Sequence, residues 1–350
     1  MNSQNVSLFD EIQSEIRELL SRRFYVLGQE TKAFEQEFAE YMGVKHCICV
    51  ASGTTALVLL LRISKLPKGS KVLVPAFTPI PTTMAVIEAG FTPEFVDIDP
   101  ETLTLDIQNL ERHLDKDVKA IIPVHIFGKL CPLDQLNDFA STYQLQIIED
   151  ACQAVGSKHP KYSIAEYSVG AGMSFYPTKN LGCWGDGGAI LTNHDHVAEQ
   201  LIALRHYGLN AGFESQSQGA NHRIDELQAL VLRKKLKTLS TYNEKRNHLA
   251  SRWKRILNQD RFQPLVEDEI HNYHVISYLC DNPEQKEIIR QSFADVGLKS
   301  NFFYDHPVSE YSGVNIHPRY QLKQCEWVCK RVINLHDSED CFRILERTIS

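Results

Sequence analysis

The sequence Ser174-Phe-Tyr-Pro-Thr-Lys179-Asn180 places one lysine in a turn between an apolar segment and a glycine-rich run. Upstream, Ile147-Ile-Glu-Asp-Ala-Cys-Gln153 begins as a buried strand and ends in a carboxylate, Asp150. Short Val- and Ile-rich segments alternate with helical patterns around both stretches, which is typical of a mainly parallel sheet covered on both faces. Because ligands bind at the carboxyl ends of such strands, we expect Lys179 and Asp150 to lie at one edge of the sheet.

These two side chains suit one kind of cofactor. A lysine amine can form an imine with an aldehyde, and a carboxylate can keep a pyridine nitrogen protonated, which together are the minimal set for pyridoxal 5′-phosphate (PLP) chemistry. Gln153 could bind the ring hydroxyl, and the Ser174 hydroxyl could reach the phosphate. The competing interpretations are a solvent-facing lysine, which the apolar neighbours of Lys179 disfavour, and a carboxylate that only caps a loop.

A phosphate site is predicted at Ser52-Gly53-Thr54, which follows the first strand and opens a helix. Glycine allows close approach of the backbone, and a helix N-terminus offers free N–H groups and a favourable dipole. A simple N-cap is the structural alternative. The chain lacks both the Gly-x-Gly-x-x-Gly and the P-loop patterns, which argues against dinucleotides and nucleoside triphosphates.

Composition narrows the possible partners. The chain has 350 residues, 43% of them hydrophobic, and a net charge of -7, so it has no basic excess for nucleic acid. No apolar run is long enough to cross a bilayer, and Met1 is not followed by a secretory signal, so no membrane partner is expected. Nine cysteines without zinc-type spacing indicate reduced thiols in a cytoplasmic protein and no metal site.

The pattern of elements predicts two domains: a large αβα domain over residues 1–240 and a smaller α+β domain over residues 241–350. A helix is expected over Leu105–Leu114 and one strand over Gln146–Glu149. The polar segment Ala211–Gln218 has no apolar periodicity and is expected to form a mobile loop.

In these motifs the chain resembles the DegT/DnrJ/EryC1/StrS sugar aminotransferases, a family of fold-type-I PLP enzymes. The resemblance spans roughly residues 24 to 260, with matching segments in the family's order. They are Gly28–Glu35, Ser52–Ala56, Phe95–Pro100, Pro123–Gly128, Glu149–Gln153, Ser174–Gly188 and Asn221–Gln228.

The resemblance implies a role for each matched residue. Lys179 would bind the cofactor covalently, Asp150 would pair with the ring nitrogen, and Gln153 would pair with the ring hydroxyl. The residues implied to hold the phosphate are Gly53, Thr54 and Ser174.

A shared active site is also implied. Asn221 would reach the phosphate in the neighbouring subunit, so the enzyme would be a homodimer. Arg223 would meet an anionic group of donor or substrate, and the loop Ala211–Gln218 would border the sugar-nucleotide pocket.

Two residues depart from the family pattern. Pro79 stands where the family often has an aromatic residue stacked on the cofactor ring, which leaves the neighbouring Phe77 as a possible substitute. Ala220 replaces the usual tyrosine before Asn221.

The resemblance predicts transfer of an amino group from L-glutamate to a keto group, at C3 or C4, of a nucleotide-linked deoxysugar. The segment Phe24–Gly28 favours C3. Alternatives are a PLP-dependent sugar dehydratase, a cyclitol aminotransferase and a non-catalytic PLP-binding regulatory protein. Some family members dehydrate the sugar and carry histidine in place of lysine, so Lys179 favours amino transfer.

Overall fold

The computed structural model describes residues 2–209, 214–215, 217–298, 302–335 and 339–349. Half of the predicted loop Ala211–Gln218, at positions 211–213 and 216, therefore lies outside the described residues. The helices are α1 Asn2–Arg22, α2 Gln29–Met42, α3 Gly53–Ile63, α4 Ile80–Glu88, α5 Leu133–Tyr143, α6 Asp195–Leu204, α7 Glu226–Leu236, α8 Leu239–Ile256, α9 Pro283–Asp295, α10 Lys323–Cys329 and α11 Glu339–Ile349. The strands are β1 His46–Val50, β2 Lys71–Pro75, β3 Thr92–Val96, β4 Val118–Ile121, β5 Gln146–Ile147, β6 Glu149–Asp150, β7 Ala171–Ser174, β8 Gly188–Thr192, β9 Ile276–Leu279 and β10 Val332–Leu335.

Strands β1 to β8 form the central sheet. β3, β2, β4 and β5 are parallel neighbours, and β6 is parallel to β7. β8 runs antiparallel to both β7 and β1. Backbone bonds from Ile148 N to Ile121 O (3.0 Å) and from Asp150 N to Pro123 O (2.9 Å) join the two halves. The predicted α/β fold with a mainly parallel sheet is confirmed.

Both faces of this sheet are covered by apolar side chains. Along β1, Cys47 and Cys49 point into one buried cluster, while Ile48 and Val50 point into the other. The first cluster includes residues of α2, α5 and α7, and the second includes residues of α3, α4 and α6. Because strand side chains alternate between two buried faces, most inner positions of these strands are apolar.

One prediction about an element is wrong. Leu105–Leu114 is not one helix but two 3₁₀ turns, Ile107–Asn109 and Glu111–His113. The Asp106 side chain accepts a hydrogen bond from Gln108 N and closes the first turn, and the buried His113 ring bonds Glu94 at 2.9 Å and holds the second. The strand expected over Gln146–Glu149 is present as β5 and β6, and Ile148 between them donates its backbone N to Ile121 O.

The C-terminal part has its own apolar cluster. β9 and β10 pair as an antiparallel ribbon, and Trp253 of α8 stacks on Phe342 of α11 with ring centroids 3.8 Å apart. Val308 and Cys325, in contrast, pack into the core of the large sheet. A domain boundary near residue 240 stays a prediction.

None of the helices in the described part of the chain combines the length and the apolar character needed to cross a membrane.

Candidate active site

The sequence-predicted residues meet where the parallel strands end. Asp150 is the last residue of β6, Ser174 is the last residue of β7, and Gly53 opens α3 just after β1. Lys179 follows β7 by a short turn. The sheet edge predicted to bind a ligand therefore carries Asp150, Ser174, Gly53 and Lys179. These are four of the eight predicted site residues, and they come from three separate chain segments.

The N-terminus of α3 is open toward this edge. The Ser52 hydroxyl accepts a hydrogen bond from Thr55 N at 3.1 Å and caps the helix, while the amides of Gly53 and Thr54 donate to no partner among the described residues. A Cβ on Gly53 would lie 2.7 Å from Cys152 Sγ and 2.8 Å from Ser174 Cβ. Both the predicted N-cap and a free pair of donors are therefore present.

Lys179 lies in a tight turn, in which its backbone N donates to Tyr176 O at 2.8 Å. Its side chain is half-buried, and among the residues that the structure describes its amine has neither a hydrogen bond nor an ion pair. Burial lowers the pKa of Lys179, against the opposing effect of Cys152 and Asp150. A lysine on an exposed loop would have no such desolvation, so the solvent-facing interpretation is not supported.

Asp150 is a buried carboxylate, 4% exposed. Its Oδ2 accepts a hydrogen bond from Thr82 Oγ1 at 2.7 Å and its Oδ1 accepts one from Cys152 N at 3.1 Å. Thr82 is linked in turn to Thr78 by a hydroxyl contact of 2.9 Å. The carboxylate is held from two sides. Thr82 lies three residues after Pro79 and was not among the predicted site residues.

Gln153 is buried beside Asp150 and has a fixed amide orientation. Its Oε1 accepts a hydrogen bond from Phe127 N at 2.6 Å, and its Nε2 donates to the Tyr304 hydroxyl at 3.2 Å. Tyr304 is 151 positions away in sequence. No local motif surrounds this tyrosine, so sequence reasoning had no signal by which to find it.

Pro79, which replaces the expected aromatic residue, precedes α4 as its N-cap residue. The neighbouring Phe77 is fully buried and packs edge-on against Phe127 and Tyr304, with centroid distances of 5.8 and 5.4 Å. Phe77 is therefore part of a three-ring cluster.

In the described part of the chain, no hydrogen bond or ion pair links Asn221 or Arg223 to the other predicted site residues. Asn221 is exposed, and its Oδ1 accepts a hydrogen bond from Arg223 Nε at 2.9 Å. Another nitrogen of Arg223 lies 3.0 Å from His206 Nδ1, and the guanidinium covers the Tyr207 ring at 5.3 Å. With its oxygen occupied, the Asn221 amide presents its donor end to solvent.

A polar network next to the lysine was missed by the sequence analysis. Asn180 Nδ2 donates to Asn243 Oδ1 and to Asn272 O, both at 2.8 Å, and Asn180 Oδ1 lies 3.1 Å from His274 Nδ1. Burial, followed by the charge of Lys179, lowers the pKa of His274 well below its usual value. The network ties the Lys179 turn to α8 and to the C-terminal part of the chain.

The described residues contain no group of three or more His, Cys, Asp and Glu side chains arranged to hold a metal ion.

The fold and this site define an α/β protein of the aminotransferase type. The chain belongs to the DegT/DnrJ/EryC1/StrS aminotransferase family, whose model matches residues 7–341.

Known proteins and solved structures of this family are similar to the chain over most of its length. The chain is 36% identical over 310 residues to the erythromycin biosynthesis sensory transduction protein EryC1 of Saccharopolyspora erythraea, covering 87% of this chain and 83% of the relative. It is 36% identical over 324 residues to the dTDP-3-amino-3,6-dideoxy-alpha-D-galactopyranose transaminase of Aneurinibacillus thermoaerophilus, covering 92% and 86%. The crystal structure of DesV from S. venezuelae, in complex with a ketimine intermediate, superimposes with a TM-score of 0.88 at 32% identity and covers 97% of this chain and 95% of that one.

Proposed function

We propose that this chain is a PLP-dependent aminotransferase that moves an amino group from L-glutamate to a keto group of a nucleotide-linked deoxysugar. One observation carries the proposal. The unpaired Lys179 amine, whose pKa is lowered by burial, lies at the same sheet edge as the buried Asp150 carboxylate and the open N-terminus of α3. These are the covalent, electronic and phosphate-binding parts that PLP requires.

The described residues fit PLP. The α3 amides and the Ser174 hydroxyl would bind the phosphate, and the missing Cβ of Gly53 leaves the backbone accessible there. Asp150 would pair with the ring nitrogen and Gln153 with the ring hydroxyl. When bound, PLP withdraws electrons from the carbon that carries the amine and holds the amino group between the two substrates.

The protein's own contribution to proton transfer centres on Lys179. A lysine with a lowered pKa has a larger neutral fraction near pH 7, so its Nζ can remove the α-proton of the amino donor. The same Nζ would return a proton to the sugar carbon in the second half-reaction. Asp150, held by Thr82 and Cys152 N, would keep a negative charge facing the cofactor nitrogen throughout.

The substrates follow from the relatives. The Aneurinibacillus protein is named as a transaminase of a dTDP-linked 3-amino sugar, which supports a nucleotide-linked keto sugar with the carbonyl at C3 for this chain. L-glutamate is the proposed donor.

We infer that the enzyme is a homodimer, because the exposed Asn221 amide presents donors to solvent and would complete the phosphate site of a partner.

We place the enzyme in the cytoplasm. None of its nine cysteines forms a disulfide in the described structure, which suits a reducing compartment.

Two measurements test this function. The purified protein incubated with PLP is expected to turn yellow through Lys179, and glutamate is expected to bleach the colour. Lys179→Ala should remove the absorbance band, while the exposed control Lys237→Ala should keep it. A wild-type protein that stays colourless with excess PLP would contradict the proposal.

Product analysis separates the alternatives. With a panel of keto-sugar nucleotides and glutamate, an aminotransferase releases 2-oxoglutarate and an aminated sugar. A dehydratase would consume the sugar without forming 2-oxoglutarate, and a regulatory protein would bind PLP without turnover.

A further inference from the structure

The amide of Gln153 is fixed in one orientation by two residues from distant parts of the chain. Phe127 N is a donor, so the atom it faces at 2.6 Å must be the amide oxygen. The amide nitrogen then faces the Tyr304 hydroxyl at 3.2 Å. A flipped amide would place its own N–H group against the backbone N–H of Phe127, and two donors cannot form a hydrogen bond with each other. One hydrogen of the amide nitrogen is used by Tyr304, and the other has no acceptor among the described residues.

Tyr304 is itself held firmly. The next residue, Asp305, pairs with Lys286 Nζ at 2.7 Å and with Arg290 at 2.9 Å, both on α9. Val308 N donates to Ala76 O at 2.9 Å, which fastens the same segment to the chain just after β2. On the other side of Tyr304, Phe303 N donates to Asn334 Oδ1 at 2.6 Å, so contacts before and after Tyr304 hold the segment that carries its hydroxyl.

The Tyr304 ring is packed as well as its backbone. It lies nearly parallel to Phe127, with an interplanar angle of 9° and centroids 6.2 Å apart, and Phe77 packs edge-on against it. Phe127 has a φ of +58°, a left-handed backbone conformation that is unfavourable for a bulky residue. Phe127 keeps this unfavourable conformation at the site, where its backbone N donates to Gln153 Oε1.

We propose that Tyr304 is a positioning residue that fixes Gln153 as a hydrogen-bond donor toward the ring hydroxyl of the bound cofactor. The inference rests on the proposed PLP-dependent function. The C-terminal segment thereby takes part in tuning the cofactor, although no predicted site residue lies within it. Burial raises the pKa of Tyr304, with a further contribution from Asp150, so the phenol stays neutral. Its oxygen accepts the hydrogen bond from Gln153 through a lone pair.

The test is Tyr304→Phe, which keeps the ring and removes only the hydroxyl. A donor to the ring oxygen stabilises the chromophore form that has lost its proton, so weakening that donor raises the pH midpoint of the visible absorbance. We expect a rise of about half a pH unit or more and PLP binding weaker by about fivefold. The matched control is Tyr278→Phe, in a buried tyrosine of β9 that packs on Phe262, and it should change neither value.

A double-mutant cycle shows whether Tyr304 acts through Gln153. Gln153→Ala should raise the midpoint at least as far as Tyr304→Phe does, and adding Tyr304→Phe to Gln153→Ala should have no further effect. An unchanged midpoint in Tyr304→Phe, or an equal shift in both backgrounds, would overturn the inference. In either case a Lys179-dependent absorbance in the wild type would leave the proposed function intact, whereas its absence would refute that function itself.

Discussion

The Thr82 hydroxyl donates a hydrogen bond of 2.7 Å to Oδ2 of Asp150, and both side chains are buried. Thr82 lies in the first turn of α4, so this bond joins the helix that follows β2 to the carboxylate at the end of β6. A buried carboxylate needs such donors to stay charged. The pair connects Asp150 to the part of the chain in which Pro79 replaces the expected aromatic residue.

Thr82→Val is expected to slow turnover about tenfold or more, because a hydrogen bond to a charged group contributes about 1.5–3 kcal/mol. The neighbouring Thr83 provides the control. Its hydroxyl is buried and has no hydrogen-bond partner among the described residues, so Thr83→Val should leave turnover unchanged and stabilise the protein slightly. Equal rates for the two variants would mean that Thr82 does not support Asp150 during the reaction.

The fold was predictable because its strands are continuous apolar segments that end in polar residues. Ile147 to Asp150 shows this pattern, and so does the segment from His46 to Ser52. The two 3₁₀ turns at residues 107–113 were not predictable from periodicity, because Ile107, Leu110 and Leu114 have the i, i+3, i+7 spacing of a helix and pack against the core without forming one. Local capping by Asp106 and the long-range bond between His113 and Glu94 decide that conformation.

The site was predictable only where its residues lie in local motifs. Lys179, Asp150 and Gly53 each lie at or shortly after the end of a strand, and this position identifies them. Thr82 and Tyr304 act through contacts 68 and 151 positions away along the chain, and neither has a neighbouring pattern that indicates the contact. Such partners become visible only when the chain is folded.

Gly53→Ala should impair cofactor binding. The new Cβ would lie 2.7 Å from Cys152 Sγ and 2.8 Å from Ser174 Cβ, so the start of α3 must shift and its free amides lose their alignment. We expect PLP affinity to fall at least about tenfold, a cost of about 1.4 kcal/mol, as measured by titration of the PLP-free protein.

Gly43→Ala is the contrasting variant, because Gly43 ends α2 with a φ of +70° and has open space around it. It should lower the free energy of unfolding by about 1–2 kcal/mol, the cost of a left-handed non-glycine residue, without changing PLP affinity. A normal affinity in Gly53→Ala would argue against phosphate binding at α3.

Glu226→Gln should destabilise the fold. This carboxylate is 2% exposed, and it accepts hydrogen bonds from the amides of Gly28, Glu30 and Thr31 at 2.8 to 2.9 Å, which caps α2. Glutamine replaces one acceptor oxygen by an NH2 group, which cannot accept from a backbone N–H, and it removes the charge that strengthens the remaining bonds. We therefore expect the free energy of unfolding in urea to fall by about 2 kcal/mol. Glu37→Gln, which breaks a more exposed pair with Arg233, should cost less than about 1 kcal/mol, and a similar cost for both would contradict the capping role.

The lowered pKa of Lys179 has a consequence for stability. In the PLP-free protein the folded state binds fewer protons at this site than the unfolded state does, so stability should rise with pH until the unfolded lysine also loses its proton, near pH 10.5. Lys179→Met should therefore be more stable than the wild type at pH 7, and the difference should shrink toward pH 10. Urea unfolding at several pH values measures this. The exposed control Lys237→Met should show no such pH-dependent difference, and a constant difference for Lys179→Met would mean that its pKa is not lowered.

Subunit mixing tests whether Asn221 completes the site of a partner subunit. Lys179→Ala and Asn221→Ala subunits should each be nearly inactive alone. In a mixed dimer the Lys179→Ala subunit would supply an intact Asn221 to the other subunit, whose Lys179 is present, so one of the two sites is restored. Statistical mixing should then recover about a quarter of wild-type activity. Heterodimers isolated through two different affinity tags make the measurement decisive, because inactive heterodimers would mean that Asn221 serves the site of its own subunit.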